Sequence, residues 1–148
     1  MNRSKLLPPI VYLMLLTFLL QKTAEKFYWY DSLRWFDIGM HFLGGFWVGM
    51  FFVWFFSTVR LPFLRRPIRG MGRQTLGLAL LFVLFVAISW EAGEFLTGNY
   101  IGQESWSALD TTSDIFWGLV GGVAALFYCF RKIMTVRSNN VQPRSRTL

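Results

Sequence analysis

The chain has 148 residues, enough for one domain, and only 16% of them are charged, well below the quarter expected of a soluble globular protein. A formal net charge of +7 is compatible with nucleic-acid binding, but the Lys and Arg residues avoid the apolar blocks and cluster at their ends, as membrane insertion selects. The composition therefore argues against a soluble enzyme or a nucleic-acid binder and favours an integral membrane protein.

Four apolar blocks follow one another along the chain. About 20 helical residues cross a hydrocarbon core of about 30 Å. The first block is the shortest; it begins with two prolines, which suit a helix start, and its flank lacks a signal-peptide cleavage pattern, so it predicts a retained span. The predicted spans cover residues 6–21, 35–59, 76–97 and 113–134. The sequence thus predicts an all-α polytopic fold with a single domain over residues 1–137, followed by a disordered polar tail at 138–148.

The basic residues predict the orientation of these spans. Two lie in the N-terminal tail, five between the second and third blocks, and five at or beyond the end of the fourth block, whereas the first loop holds three and the third loop none. Because basic residues are retained on the cytoplasmic side, both termini are expected to be cytoplasmic, in a multi-pass protein of the plasma (inner) membrane. Aromatic residues cluster at the first external boundary, between Phe27 and Phe36, as is typical of an interfacial belt.

Ionisable residues inside the apolar blocks are the strongest indication of function. Five of the eight carboxylates and the single histidine lie within or at the ends of the spans: Asp37, His41, Glu91, Glu94, Asp110 and Asp114. Each such group costs about 2.5–3.5 kcal/mol at the bilayer midplane on insertion scales, so a functional role is the default hypothesis. In the predicted orientation all six lie in the outer half of the membrane.

The spacing of these residues predicts a shared site. Asp37 and His41 are four residues apart, as are Asp110 and Asp114, and Glu91 and Glu94 are three apart, so that each pair projects from one side of its helix. Glycines at Gly45/Gly49 and Gly118/Gly122 have the spacing that lets helices approach closely. Close packing of these helices is expected to bring the three pairs together.

Purely structural interpretations compete with this one. Asp110 and Asp114 lie near a helix start, where Thr111 to Asp114 has the pattern of a capping box. Asp37 also lies near a helix start, where its charge is favoured. Glu91 and Glu94 lie near a helix C-terminus, where the helix dipole disfavours negative charge, so capping does not explain them.

Two ways of neutralising so many acids remain open. Close carboxylates can share protons. A divalent metal ion such as Zn²⁺, Mn²⁺ or Mg²⁺ would suit one imidazole and several carboxylate oxygens, with His41, Glu91 and Glu94 as the predicted ligands. The sequence contains no metal motif such as HExxH, so the metal is a hypothesis from residue types alone.

Three segments carry a resemblance to known proteins. They are Asp37–Phe46 (DIGMHFLGGF), Ser89–Glu94 (SWEAGE), and Asp110–Asp114 with the glycines that follow. In this order they resemble the YjdF-like family of small bacterial inner-membrane proteins and, more distantly, the VanZ-like proteins. The resemblance implies a membrane-embedded helical fold in a bacterial plasma membrane, and it supplies no reaction. VanZ-like proteins are associated with glycopeptide resistance, but they often carry Gln where this chain has Glu94.

The sequence therefore predicts an outer-leaflet His/carboxylate site that binds, or acts on, an amphiphilic cell-envelope substrate such as a lipid head group. In an enzymatic version, His41 and Glu91 would hold a cation or activate water, and a second acid would protonate the leaving group. One alternative is proton or ion handling, although the acids stay in one leaflet. The other is a purely structural or accessory membrane protein, in which the acids cap helices and form pairs.

Overall fold

The computed structural model describes residues 6–58, 73–101 and 107–139, and these parts of the chain form helices. The helices are α1 (Leu7–Phe27), α2 (Trp29–Ser32), α3 (Arg34–Thr58), α4 (Arg73–Ile101) and α5 (Ala108–Asn139). Four of them, α1, α3, α4 and α5, are long and apolar enough to cross a membrane. The predicted all-α fold with four membrane spans is confirmed. The predicted tail lies, from residue 140 onward, outside the described residues.

Three of the helices, α1, α4 and α5, extend beyond their predicted spans. α1 continues past residue 21 to Phe27, because Lys22 pairs with Glu25 across one helical turn at 2.6 Å and keeps this polar stretch helical. α5 begins at Ala108 rather than residue 113, and the hydroxyl of Ser107 accepts a 3.5 Å hydrogen bond from the backbone N–H of Asp110. α1 is therefore more than one turn longer than hydropathy alone indicates. α5 is nearly three turns longer, because it also continues to Asn139, so the first two residues of the predicted tail are helical.

The short helix α2 turns the chain from α1 into α3. α1 ends at Tyr28, which adopts the left-handed conformation (φ 57°) and donates its N–H to the carbonyl of Ala24. The rings of Trp29 and Tyr30 then pack edge-on against Phe36, at centroid distances of 5.4 and 5.2 Å. The aromatic residues predicted to lie at the interface thus also fix the direction in which α3 starts.

α3 is the central helix. It packs most extensively against α5, and α4 packs against both α5 and α3. α1 packs against α3, and within the described residues its backbone does not come close to that of α4 or α5. The buried apolar core, which includes Met50, Val83 and Cys129, lies toward the end of the bundle where α3 finishes. The opposite end, where α3 and α5 begin and α4 finishes, carries the polar side chains.

The orientation of the bundle in the membrane stays a prediction, because most of the basic residues behind it lie outside the described residues. We expect a fluorescent protein fused after Leu148 to fluoresce and alkaline phosphatase at the same position to be inactive. The reverse pattern is expected for fusions after residue 104, in the predicted external loop. Active phosphatase at the C-terminus would place the polar end of the bundle on the cytoplasmic side.

Candidate functional site

His41 lies at the centre of a polar cluster that draws on three helices. Its Nε2 atom is 3.4 Å from Oδ1 of Asp37 on the same helix and 3.8 Å from Oδ1 of Asp114 on α5. Its Nδ1 atom is 3.9 Å from Oε1 of Glu91 on α4. The side chain of Asp114 is only 6% exposed and that of Glu91 10%. The imidazole therefore has a carboxylate facing each of its two nitrogens.

Close packing of α3 on α5 produces this arrangement. Both helices run in the same direction, and Gly45 and Gly118, one turn beyond His41 and Asp114 respectively, meet so closely that a Cβ on Gly45 would overlap the Gly118 carbonyl. A Cβ on Gly121 would similarly overlap the backbone of Phe42. Small residues at this spacing let two helix backbones approach within a membrane. The glycine contact thus brings His41 beside Asp114, as their spacing predicted.

Glu91 faces α5. The hydroxyl of Thr111 on that helix lies close to the Glu91 carboxylate. Thr111 was predicted to start a capping box, and this was wrong, because α5 begins before it and Ser107 caps the helix. Asp114 therefore lies within the helix rather than at its start, and capping does not explain its burial.

Glu94 lies at the exposed edge of the cluster. It accepts a 2.8 Å hydrogen bond from the indole Nε1 of Trp90, one turn earlier on the same face of α4. One of its carboxylate oxygens also lies within 4.8 Å of ligand atoms of His41 and Glu91. Glu94 thus connects the cluster with the surface of the bundle.

Asp110 is the predicted site residue that lies only at the margin of the cluster, close enough to Glu94 and Asp114 for its charge to act on both. It is exposed, lies in the first turn of α5, and belongs to neither group of neighbouring ligand atoms found among the described residues. A carboxylate in the first turn interacts favourably with the helix dipole. Asp110 and Asp114 are one turn apart, but only Asp114 is turned far enough inward to reach His41.

Tyr30 and Gln21 form a part of the polar end that the sequence did not predict. The Tyr30 hydroxyl donates a hydrogen bond to Oε1 of Gln21. Burial, followed by the negative charge of Asp37, raises the pKa of the Tyr30 phenol to about 12, and the charge of Glu94 acts in the same direction. Tyr30 is therefore a protonated phenol near two of the acids. The one sequence feature that pointed to this contact was Gln21, the polar residue at the end of the first predicted span.

Two sets of side chains can each offer ligand atoms to one metal ion. In the first, Asp37, His41 and Asp114 present atoms that all lie within 4.8 Å of one another; in the second, His41, Glu91 and Glu94 do so. The second is the set predicted from the sequence. Both sets use the imidazole, one through each ring nitrogen.

The first set fits a metal ion better. Ligand atoms around a tetrahedral ion with bonds of about 2.1 Å lie about 3.4 Å apart, close to the 3.4 and 3.8 Å that separate Nε2 of His41 from its two aspartates. Glu91 then faces the other ring nitrogen, the position from which a carboxylate orients a metal-bound histidine. Glu94 is exposed and already accepts the bond from Trp90, so it suits a ligand role less well.

Fold and site together define a four-span integral membrane protein with a His/carboxylate cluster at one end of the bundle. Residues 1–134 match the family described as Predicted membrane protein (DUF2238), and the chain belongs to this family. The match is consistent with the YjdF-like resemblance and gives no support to the more distant VanZ-like one. No curated protein and no solved structure matches the chain.

Proposed function

We propose that the chain binds a divalent metal ion at Asp37, His41 and Asp114 and uses it to hold the head group of an amphiphilic cell-envelope molecule in the outer leaflet. The observation that carries the proposal is the imidazole of His41 with carboxylates from three helices 3.4–3.9 Å away. Zn²⁺ and Mn²⁺ suit this mixture of one nitrogen with carboxylate oxygens.

The charge of the cluster supports a bound cation. Four carboxylates (Asp37, Glu91, Glu94 and Asp114) surround one imidazole, and among the ion pairs that the structure describes none joins a Lys or Arg to these acids. Like charges this close repel one another, and burial strengthens the repulsion. A divalent ion removes most of the penalty, because it attracts every carboxylate at once.

The position of the site supports an amphiphilic ligand. Three protein ligands leave a fourth position on a tetrahedral ion, as in zinc sites that bind an external molecule. The site also lies near the ends of helices that are long and apolar enough to span a membrane, so in the predicted orientation a lipid head group can reach it. A phosphate oxygen of a lipid head group can take the open position without leaving the interface.

Proton transfer across the membrane is a weaker proposal. In the described helices no Asp, Glu, Lys or Arg occurs from residue 42 to 58 in α3, from 74 to 90 in α4, or from 115 to 130 in α5. Ionisable side chains spaced along the path are the usual parts of a proton relay. The cluster stays at one end of the bundle, which favours binding over transport.

Metal content tests the proposal directly. The full-length protein is purified without chelators and with a tag that binds no metal, and its metal content is measured by mass spectrometry. We expect about one transition-metal ion per chain and saturable rebinding of Zn²⁺ or Mn²⁺ after dialysis against a chelator. Folded protein that neither retains nor rebinds either ion would remove the metal from the proposal.

The two aspartates of α5 provide a matched pair of variants. Asp114→Asn is expected to weaken Zn²⁺ or Mn²⁺ binding at least about tenfold, since it replaces a charged ligand with a neutral one. Asp110→Asn, one turn away on the same helix, is expected to lower the affinity much less, because Asp110 is exposed and offers no ligand atom to the site. Isothermal titration of both proteins makes the comparison, and equal losses would point to a general effect of charge.

A further inference from the structure

The end of the bundle opposite the polar cluster, here the basic end, has ionisable residues of one sign only. By chain order it comprises residues 1–6, the stretch from 59 to 73 that leads from α3 into α4, and the chain from 131 onward. These segments hold two, five and five of the fifteen Lys and Arg residues. All eight Asp and Glu residues belong instead to the end with His41 or to the chain that connects helices there. The two ends of the bundle therefore carry opposite net charge.

Membrane orientation explains the basic residues at this end but not the exclusion of acids from it. Lys and Arg near helix ends set the orientation of a membrane protein, whereas Asp and Glu contribute little to it. Selection for orientation alone would therefore tolerate acids beside the basic residues, as at the other end, where Glu25 pairs with Lys22. The exclusion of acids from the basic end indicates a partner that is itself negatively charged.

α5 holds part of the positive charge at the level where its apolar span ends. That span ends at Arg131, and the helix continues to Asn139, a further eight residues or about 12 Å. Lys132 and Arg137 lie on this extension. The guanidinium of Arg131 lies 4.6 Å from the centroid of the exposed Phe127 ring, one turn earlier on the helix. This contact keeps the charge of Arg131 beside the exposed apolar surface of α5.

We propose that the basic end binds the head groups of anionic phospholipids, with Arg131 and Lys132 of α5 at the centre of the contact. The inference goes beyond the proposed function, because it concerns the opposite end of the bundle and needs no metal. Each basic residue next to a membrane-spanning helix strengthens attachment to an anionic lipid surface about fivefold.

A lipid surface suits this charge better than nucleic acid or an acidic protein does. Arg131 and Lys132 directly follow an apolar span, so the head groups lie within about 8 Å, the distance over which physiological salt screens a charge. A soluble polyanion would have to displace those head groups before it reached either residue. The membrane itself is therefore the nearest source of negative charge.

Lipid selectivity of the full-length protein in detergent tests this inference. Native mass spectrometry compares phosphatidylglycerol with phosphatidylcholine of the same acyl chains, and a chelator is present so that no lipid binds through a metal at His41. We expect a preference for phosphatidylglycerol of at least about tenfold. The preference should fall about fivefold in Arg131→Gln and again in the double variant Arg131→Gln/Lys132→Gln, until the two lipids bind equally.

Lys26→Gln is the matched control and should keep the preference. Lys26 also lies over an aromatic ring, that of Phe27 at 5.8 Å, but at the opposite end of the bundle. Equal binding of the two lipids by the unsubstituted protein, or equal losses in Arg131→Gln and Lys26→Gln, would overturn the inference. Displacement of phosphatidylglycerol by an equimolar short DNA duplex would also overturn it, in favour of nucleic acid. Because the chelator keeps the metal site empty throughout, failure of the proposed metal binding leaves these outcomes unchanged.

Discussion

His41→Ala is expected to reduce the affinity for Zn²⁺ or Mn²⁺ by at least about a hundredfold, because loss of a residue that merely orients a metal ligand already costs about 10–100-fold. The imidazole is the only nitrogen ligand at the site and faces carboxylates on both sides. Glu91→Gln, which removes the carboxylate facing Nδ1, is expected to cost about 10–100-fold. Titration calorimetry of both variants in detergent gives the two values.

The same variants separate a functional cluster from a structural one. If the acids serve to bind a metal, they contribute little to the stability of the metal-free protein. Metal-free His41→Ala should then fold and unfold at nearly the same thermal midpoint as the metal-free unsubstituted protein. Zn²⁺ at 100 times its dissociation constant should stabilise the unsubstituted protein by about 2.7 kcal/mol and the variant hardly at all. A variant that loses its helical signal in detergent, where the unsubstituted protein keeps it, would favour a structural role.

Much of the fold followed from physical constraints that the sequence shows directly. A membrane span must be long, apolar and helical, and this requirement identified α1, α3, α4 and α5. The exact helix ends did not follow, because Ser107 and the polar residues after Gln21 act through hydrogen bonds that hydropathy does not register. The short helix α2 depends on the left-handed Tyr28 and on ring packing, for which the local sequence carries no specific signal.

The sequence predicted at which end of the bundle the site residues lie, but not which way their side chains point. Antiparallel neighbours placed the acids at one end of the bundle, and the glycine spacing indicated which helices approach closely. Helical spacing alone could not distinguish Asp110 from Asp114, since residues four apart differ by about 40° around the axis, enough to separate an exposed side chain from a buried one. The contribution of Tyr30 required the path of α2, which only the structure provides.

Substitution of a closely packed glycine on α3 is expected to cause the second large effect, a loss of bundle stability. Gly45→Ala is expected to destabilise the bundle by about 3 kcal/mol or more, because its Cβ would overlap the Gly118 backbone, which cannot move aside as a flexible side chain does. Thermal unfolding in detergent measures the loss. Since relief of the overlap requires α3 and α5 to separate, the distance between His41 and Asp114 should grow and metal affinity should fall together with stability.

Neighbouring glycines on α3 supply graded controls for this experiment. A Cβ on Gly44 meets nothing within 4 Å, so Gly44→Ala should leave stability unchanged or raise it by up to about 1 kcal/mol through its better helix propensity. A Cβ on Gly49 would lie 3.0 Å from the Cβ of Ala125, so Gly49→Ala should fall between the two. If all three variants behave alike, helix propensity rather than close approach governs this face. If stability and metal affinity instead fall in the order Gly44→Ala, Gly49→Ala, Gly45→Ala, the metal site depends on the α3–α5 contact. The three variants differ in how closely the added Cβ approaches α5.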